Sequence, residues 1–243
     1  MRYKNINRGI ANLMDRILFL DNSIKDDRYK PLNYWEPVLM FDFDVYRASA
    51  GEFPASLDAY SHIFLTGSTA SVLDNTDWIK AEQELIRTAV DQGKVMVGSC
   101  FGHQIIAQSL FGDDAVRKRA ALDVGWPEIE ILADDVLLGE AGSKIFGYVF
   151  HYDEVCSIDE SRAAIIARSE ACEILAFKLK GKPVWGVQPH FEMGIVEGLK
   201  FLDYVKGDGV PDRQSCFESP DNSPKDSGWI IPFMRAYHNV RPL

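Results

Sequence analysis

The chain has 243 residues, 47% of them hydrophobic, and its 26 Lys and Arg against 36 Asp and Glu give a formal net charge of −10. Such a length suits an α/β protein with a full core; the acidic balance, with no basic block, argues against a nucleic-acid or anionic-membrane binder, and no run approaches the roughly 20 apolar residues of a membrane span. Cys100, Cys156, Cys172 and Cys216 are dispersed with no C-x-x-C pair, which predicts free thiols in a reducing compartment, the cytoplasm, and neither a disulfide framework nor a metal site.

Met1 to Arg8 is basic and polar, and the apolar run Ile17 to Leu20 stops at Asp21. That run is too short for a signal-peptide core and reads as part of a first strand, Arg16 to Asn22. Residues 24 to 37 are charged and hold Pro31 and Pro37, so any helix there is short or broken. Phe43 to Ala48 and His62 to Thr66 read as the next strands. Asp77 to Gln92 carries Trp78, Ile79, Leu85, Ile86, Ala89 and Val90 at helical spacing, and Gly93 stops it. A strand from Val95 and a helix after Cys100 follow.

From Gly125 the character changes. Trp126 to Leu132, Tyr148 to Phe150, Ala163 to Ala167, Ile174 to Lys178 and Val184 to Gln188 are short strands separated by turn signals. A helix through Leu199, Phe201, Leu202 and Val205 is expected next, then a polar loop over 207–228, then a helix over 229–240 interrupted near its start by Pro232. Strands alternating with helices predict an open, mostly parallel, flavodoxin-like sheet with helices on both faces, to which antiparallel strands are added. No repeat or long linker divides the chain, so a single domain over 1–243, with its core at about 16–205, is expected.

Three segments carry chemistry. In Val95-Met-Val-Gly-Ser-Cys-Phe-Gly-His-Gln-Ile-Ile106 a strand meets a helix at Cys100, between Gly98 and Gly102. This is the pattern of a nucleophile elbow, with Cys in place of Ser. Unpaired N–H groups at a helix N-terminus favour a thiolate there, and the glycines let the backbone bend tightly. Alone, Cys100 decides nothing, because free Cys is among the most buried residue types. In Gly186-Val-Gln-Pro-His-Phe-Glu-Met193 an extended backbone would project His190 and Glu192 together, with Phe191 turned away. A carboxylate beside an imidazole fixes its tautomer and stabilises its protonated form. In Leu65-Thr-Gly-Ser-Thr-Ala-Ser-Val72 a glycine follows a strand, where exposed N–H groups can bind an oxyanion.

Taken in order, the glycine loop, the Cys elbow and the late H-x-E resemble the class I (triad-type) glutamine amidotransferases. Gly125-Trp126, Phe150-His-Tyr-Asp-Glu-Val155 and Ala167-Arg-Ser169 add to the likeness, which is good over residues 60 to 195 and only in outline over 16 to 60. Two departures stand out. Pro189 precedes His190 and Phe191 follows it, where the family usually has an aromatic before and Pro after; and Gly67-Ser68 stands where many members carry two glycines.

The resemblance implies a Cys100–His190–Glu192 triad that hydrolyses the γ-amide of glutamine, or a related γ-glutamyl compound, through a γ-glutamyl thioester. It implies an oxyanion hole at Gly67 or Ser68 and Phe101, and a substrate pocket lined by Gln104, Phe150, His151 and Tyr152, with no cofactor. His103 is expected to be structural, His151 a pocket wall or core residue, and Cys156, Cys172 and Cys216 inert. Too few residues follow Glu192 for an ATP-dependent synthetase, and no G-x-x-x-x-G-K-[ST] loop is present. Three functions remain open: a free-standing hydrolase resembling the GMP synthase amidotransferase domain and the γ-glutamyl peptidases, a glutaminase component feeding ammonia to a synthetase partner, or a non-catalytic binding protein that keeps the fold. A homo-oligomer is equally open.

Overall fold

The computed structural model describes residues 2–3, 16–24, 29–39, 41–205 and 225–243. The polar loop expected at 207–228 falls outside the described residues as far as 224, and so does Cys216. In chain order the elements begin with β1 (Arg2–Tyr3), β2 (Ile17–Asp21), α1 (Pro31–Trp35), β3 (Phe43–Arg47) and β4 (His62–Leu65). Next come α2 (Asp77–Asp91), β5 (Val95–Ser99), α3 (Phe101–Phe111), β6 (Val116–Gly125), β7 (Glu128–Ile131) and β8 (Lys144–Phe146). The last are β9 (Val149–Val155), β10 (Ala163–Arg168), β11 (Ala176–Leu179), β12 (Val184–Val187), α4 (Ile195–Tyr204) and α5 (Ile230–Asn239).

The main sheet runs β1-β3-β2-β4-β5-β12-β11-β10-β7-β8. Its centre, β3-β2-β4-β5-β12, is parallel throughout and has the flavodoxin-like order, in which ligands bind beyond the carboxyl ends of the strands. The strands beyond β12 pair antiparallel, as does β1. Every residue of β2, β4, β5 and β12 is buried, which is why these strands read as continuous apolar runs. Alternate side chains serve opposite faces. Ile17, Phe19, Phe64, Val95 and Val97 join Phe233, Met234 and Tyr237 of α5 in one cluster. Leu18, Leu20, Ile63, Leu65 and Met96 join Ile79, Ile86 and Ala89 of α2 and Ile105 and Ile106 of α3 in another. Among the described residues no helix is long and apolar enough to cross a membrane.

The structure departs from the sequence reading at several elements. β6 is a ten-residue strand that the sequence did not announce, because its charged and small residues lie largely at the surface with no clean alternation. Among the described residues it pairs only with β9, in a separate two-stranded sheet, and the register breaks between Lys118 and Asp123. β8 was also not expected, and β11 starts at Ala176 rather than Ile174. Finally, Pro232 does not interrupt α5. It lies in the first turn, where its missing N–H would have had no intrahelical partner.

One buried position breaks the apolar pattern of α2. Glu82 lies on the inward face with Ile79, Ile86 and Ala89 and is fully buried. Its side chain faces Asn22, and neither its oxygens nor Asn22 Oδ1 finds a hydrogen-bond partner among the described residues. Burial lifts its pKa from 4.5 to about 8, so the folded protein holds it as a neutral acid at neutral pH. In the unfolded chain the same group ionises near 4.5. Between these two values the unfolded state has lost a proton that the folded state keeps, so stability falls as pH rises through the window and levels off above it. Glu82→Gln carries no titrating proton and is expected to lose this slope. Melting temperatures at the two ends of the window test this: the advantage of the variant over wild type should be larger at the alkaline end, and an equal difference at both ends contradicts it.

Candidate active site

β4, β5 and β12 are neighbours in register: Leu65 lies opposite Gly98, and Gly186 and Val187 opposite Gly98 and Ser99. Their carboxyl ends therefore open at one edge, and the three chemical segments leave the sheet there side by side. Cys100 sits between β5 and α3 with φ 52 and ψ −107. For a residue with a side chain this backbone costs on the order of 1–3 kcal/mol, and it persists only where the surroundings hold it. Here the Cys100 N–H donates to Val187 O at 2.9 Å, its carbonyl accepts from Gln104 N at 3.1 Å, and Gly102 N donates to Thr66 O at 3.2 Å.

The flanking glycines act differently from the sequence expectation. The bend itself belongs to Cys100, and the glycines provide clearance. A Cβ on Gly98 would stand 2.2 Å from Gly102 O, and one on Gly102 would stand 2.4 Å from Leu65 O. Both must be absent for α3 to start directly against the strand ends.

β12 ends at Val187, and the base segment then turns rather than continuing extended. Ser99 Oγ donates to Pro189 O at 3.2 Å, His190 N to Tyr148 O at 2.7 Å, and Met193 N to His190 O at 3.1 Å. This turn, not strand alternation, brings the imidazole and the carboxylate together: His190 Nδ1 lies 2.7 Å from Glu192 Oε1. Phe191 points away into the core beside Trp229 and Phe233. The His190 ring stands close enough to Cys100 for the two to interact electrostatically; Glu192 occupies Nδ1, and the Cys100 sulfur lies 3.9 Å from Phe150 O. Burial by itself lowers the proton affinity of His190, but Cys100 and Glu192 outweigh it and lift the pKa to about 10. The site thus favours an imidazolium between two acidic groups.

Gly67 completes the floor. An added Cβ there would lie 2.8 Å from His190 Cε1, 3.1 Å from Tyr29 Cε1 and 3.4 Å from Cys100 Cβ. Phe101 opens α3, so its N–H has no acceptor within the helix. Ser68 Oγ accepts from Ala70 N at 3.0 Å, which shapes the loop beside the site. Ser68, Thr69, Tyr29, Tyr148, Phe150, His190, Met193 and Phe201 line a small cavity at this edge.

Of the four expected pocket residues, one lines that cavity. Phe150 does, edge-on to Phe201. Tyr152 is 43% exposed and stands outside, edge-on to Phe150. Gln104 and His151 are instead engaged by the protein. Gln104 Nε2 donates to Asp153 O at 2.8 Å and to Gln188 Oε1 at 3.2 Å. His151 Nδ1 lies 2.8 Å from the same carbonyl, with Nε2 3.2 Å from Asp123 Oδ2. Gln104 thereby braces α3 against β9, and His151, itself on β9, ties that strand to Asp123 of β6.

His103 is fully buried against Phe177, and burial, followed by the neighbouring His151, lowers its pKa to about 3. Cys172 is buried, and its thiol is pushed up to about 12 by desolvation, then by Glu154 and Asp123. One participant went unnoticed in the sequence. Tyr29, from the Pro-containing stretch before α1, donates its hydroxyl to Glu192 Oε1 and sets its ring edge-on to His190 at 5.2 Å. A lone Tyr in a charged segment carries no motif, so no sequence signal could have found it.

A family model described as "Glutamine amidotransferase class-I" matches residues 38–198. The chain belongs to this family. Over 170 residues it is 32% identical to gamma-glutamyl peptidase 5 of Arabidopsis thaliana, covering 67% of this chain and 66% of that protein. It is 30% identical over 142 residues to a glutamine-hydrolyzing GMP synthase of Aeropyrum pernix, covering 58% of this chain and 26% of the other. Matches to the Arabidopsis gamma-glutamyl peptidases span about three-fifths of those proteins' length. In fold it is similar to a glutamine amidotransferase from Methylobacillus flagellatus, with a TM-score of 0.69 at 20% identity, covering 93% of this chain and 92% of that one.

Gly67→Ala tests the close packing of this floor. The new methyl has to displace the His190 ring or the Tyr29 ring. Any turnover that depends on this site should fall at least ~10-fold, because misplacing a reacting group by about 1 Å costs that much or more. The melting temperature should fall by only a few degrees. Unchanged kcat/KM would show that the ring and the loop do not need this contact.

Proposed function

We propose that this member of the class I glutamine amidotransferase family hydrolyses the γ-amide of glutamine or of a related γ-glutamyl compound, working as one amidotransferase-like unit with no cofactor. The observation that carries the reading is Cys100, held at positive φ on the strand–helix joint and packed with the His190 ring against Gly67, while His190 Nδ1 is bound to Glu192. A reducing compartment such as the cytoplasm suits a reaction that needs a free thiol.

The Cys100 sulfur attacks the γ-carbonyl carbon. The N–H groups of Phe101 and of Gly67 or Ser68 hold the oxyanion. His190, protonated between Cys100 and Glu192, gives its proton to the departing nitrogen as the C–N bond breaks, leaving a γ-glutamyl thioester. A water then yields a proton to His190, attacks the thioester and releases the γ-carboxylate with the Cys100 sulfur restored. Glu192 holds the tautomer and orientation of the ring throughout.

A second reading is supported by the relatives named as glutamine-hydrolyzing GMP synthases: the same hydrolysis here would supply ammonia to a separate synthetase. Mixing experiments separate the two. A free-standing hydrolase releases amine or ammonia at full rate alone, whereas a component of a larger synthetase is activated by its partner.

The primary test is ammonia and amine release from glutamine and a panel of γ-glutamyl amides and peptides. Cys100→Ala should lower turnover by about 10⁴-fold or more while the melting temperature barely moves. His190→Gln should act nearly as strongly, because nucleophile and base work as a unit. In the wild type a glutamine-analogue alkylator should label Cys100 and spare Cys156 and Cys172. Turnover by Cys100→Ala comparable to wild type would rule out the thioester route.

A further inference from the structure

Glu192 is an unusual carboxylate in its surroundings. Its side chain is fully buried, and Oε2 has no hydrogen-bond partner among the described residues. Both of its described donors converge on Oε1: His190 Nδ1 at 2.7 Å and the Tyr29 hydroxyl. Tyr29 is itself only 3% exposed. Its hydroxyl donates to the carboxylate. Burial, and then the charge of Glu192, hold the phenol protonated well above its ordinary value. Tyr29 lies outside the span matched by the family model, which starts at residue 38.

We propose that Tyr29 is a positioning residue for the Cys100–His190–Glu192 site: its hydroxyl supplies the second hydrogen bond that keeps the buried Glu192 carboxylate ionised, so that the proton stays on His190 and the ion pair faces Cys100. The proposal rests on the triad reading given above. Hydrogen bonds to an ionised acid favour its charged form. A carboxylate with one donor fewer competes harder for the imidazolium proton. If that proton moves from Nδ1 to the carboxylate, the imidazole is neutral and no longer stabilises a thiolate. No net charge is created; one proton shifts along one hydrogen bond. The titratable groups that face the pair are Cys100 from the head of α3, Tyr29 and Tyr34 from the segment around α1, and Tyr148 beside His190. Of these, the Tyr29 hydroxyl reaches the carboxylate directly.

The variant is Tyr29→Phe, which keeps the ring that packs on His190 and removes only the donor. Two readouts are needed. The first is the rate of Cys100 alkylation by iodoacetamide against pH, followed on the Cys100 peptide by mass spectrometry. The second is kcat and KM on the best γ-glutamyl substrate found. Tyr29→Phe is expected to move the alkylation profile to higher pH, with the rate at pH 7 down about tenfold or more, the size of losing one hydrogen bond to a charged group. Its kcat should fall with KM little changed, and its melting temperature should stay close to wild type. Glu192→Gln should move the alkylation profile the same way, and adding Tyr29→Phe to it should cost almost nothing more. An alkylation profile in Tyr29→Phe that overlays wild type overturns the proposal, as does a full additional loss in the double variant. Failure of the triad reading looks different: the wild type hydrolyses no γ-glutamyl compound, yet the alkylation profile still responds to Tyr29.

Discussion

The structure depends on a joint of minimum size between β5 and α3. A residue with a side chain is held there at positive φ, and the helix begins without any connecting loop. This is possible only because the backbone of Gly102 approaches Gly98 and Leu65 more closely than any Cβ would allow. The cost of the strained Cys100 backbone is offset by the hydrogen bonds on either side of it, to Val187 and from Gln104. Those partners belong to β12 and α3, so the core that buries them also fixes the direction of the thiol. Sheet, helix and site are in this sense one packing problem.

A second constraint follows from burial. His190 and Glu192 are both nearly inaccessible to water, and a buried charge survives only with a partner of opposite sign or with hydrogen bonds. The proposed triad meets that condition by stacking opposite charges, with the imidazolium between sulfur and carboxylate. Its walls are mostly aromatic: Tyr29, Tyr148, Phe150 and Phe201 surround the cavity beside the imidazole. Such walls exclude water and strengthen every electrostatic contact inside. They are assembled from α4, the start of β9 and the segment ahead of α1, none of which bears the proposed nucleophile.

The added antiparallel parts have a supporting role. β9 presents Phe150 to the cavity, while the carbonyl of its Asp153 receives Gln104 Nε2 and His151 Nδ1. Asp153 also accepts from Ser71 at the far end of the glycine loop. One residue of β9 therefore ties together α3 and the loop that follows β4. Polar residues expected to touch substrate are used here to hold the frame that shapes the cavity.

The sequence alone determined the parallel core and the order of the chemical segments. Fully buried strands read as apolar runs, the period of α2 is strong, and the spacing of Gly, Cys and H-x-E along the chain requires no knowledge of contacts. It also marked Cys100, His190 and Glu192, because their motifs are local. Tertiary structure decided what depends on distance in space. It separated Phe150, which reaches the cavity, from Gln104 and His151, which do not, and it closed the His190–Glu192 contact through a turn. It also folded β6 into a second sheet and brought Tyr29 onto Glu192, 163 positions away along the chain. A hydrogen bond of that kind leaves no periodicity and no motif, since its two residues become neighbours only after the sheet has formed.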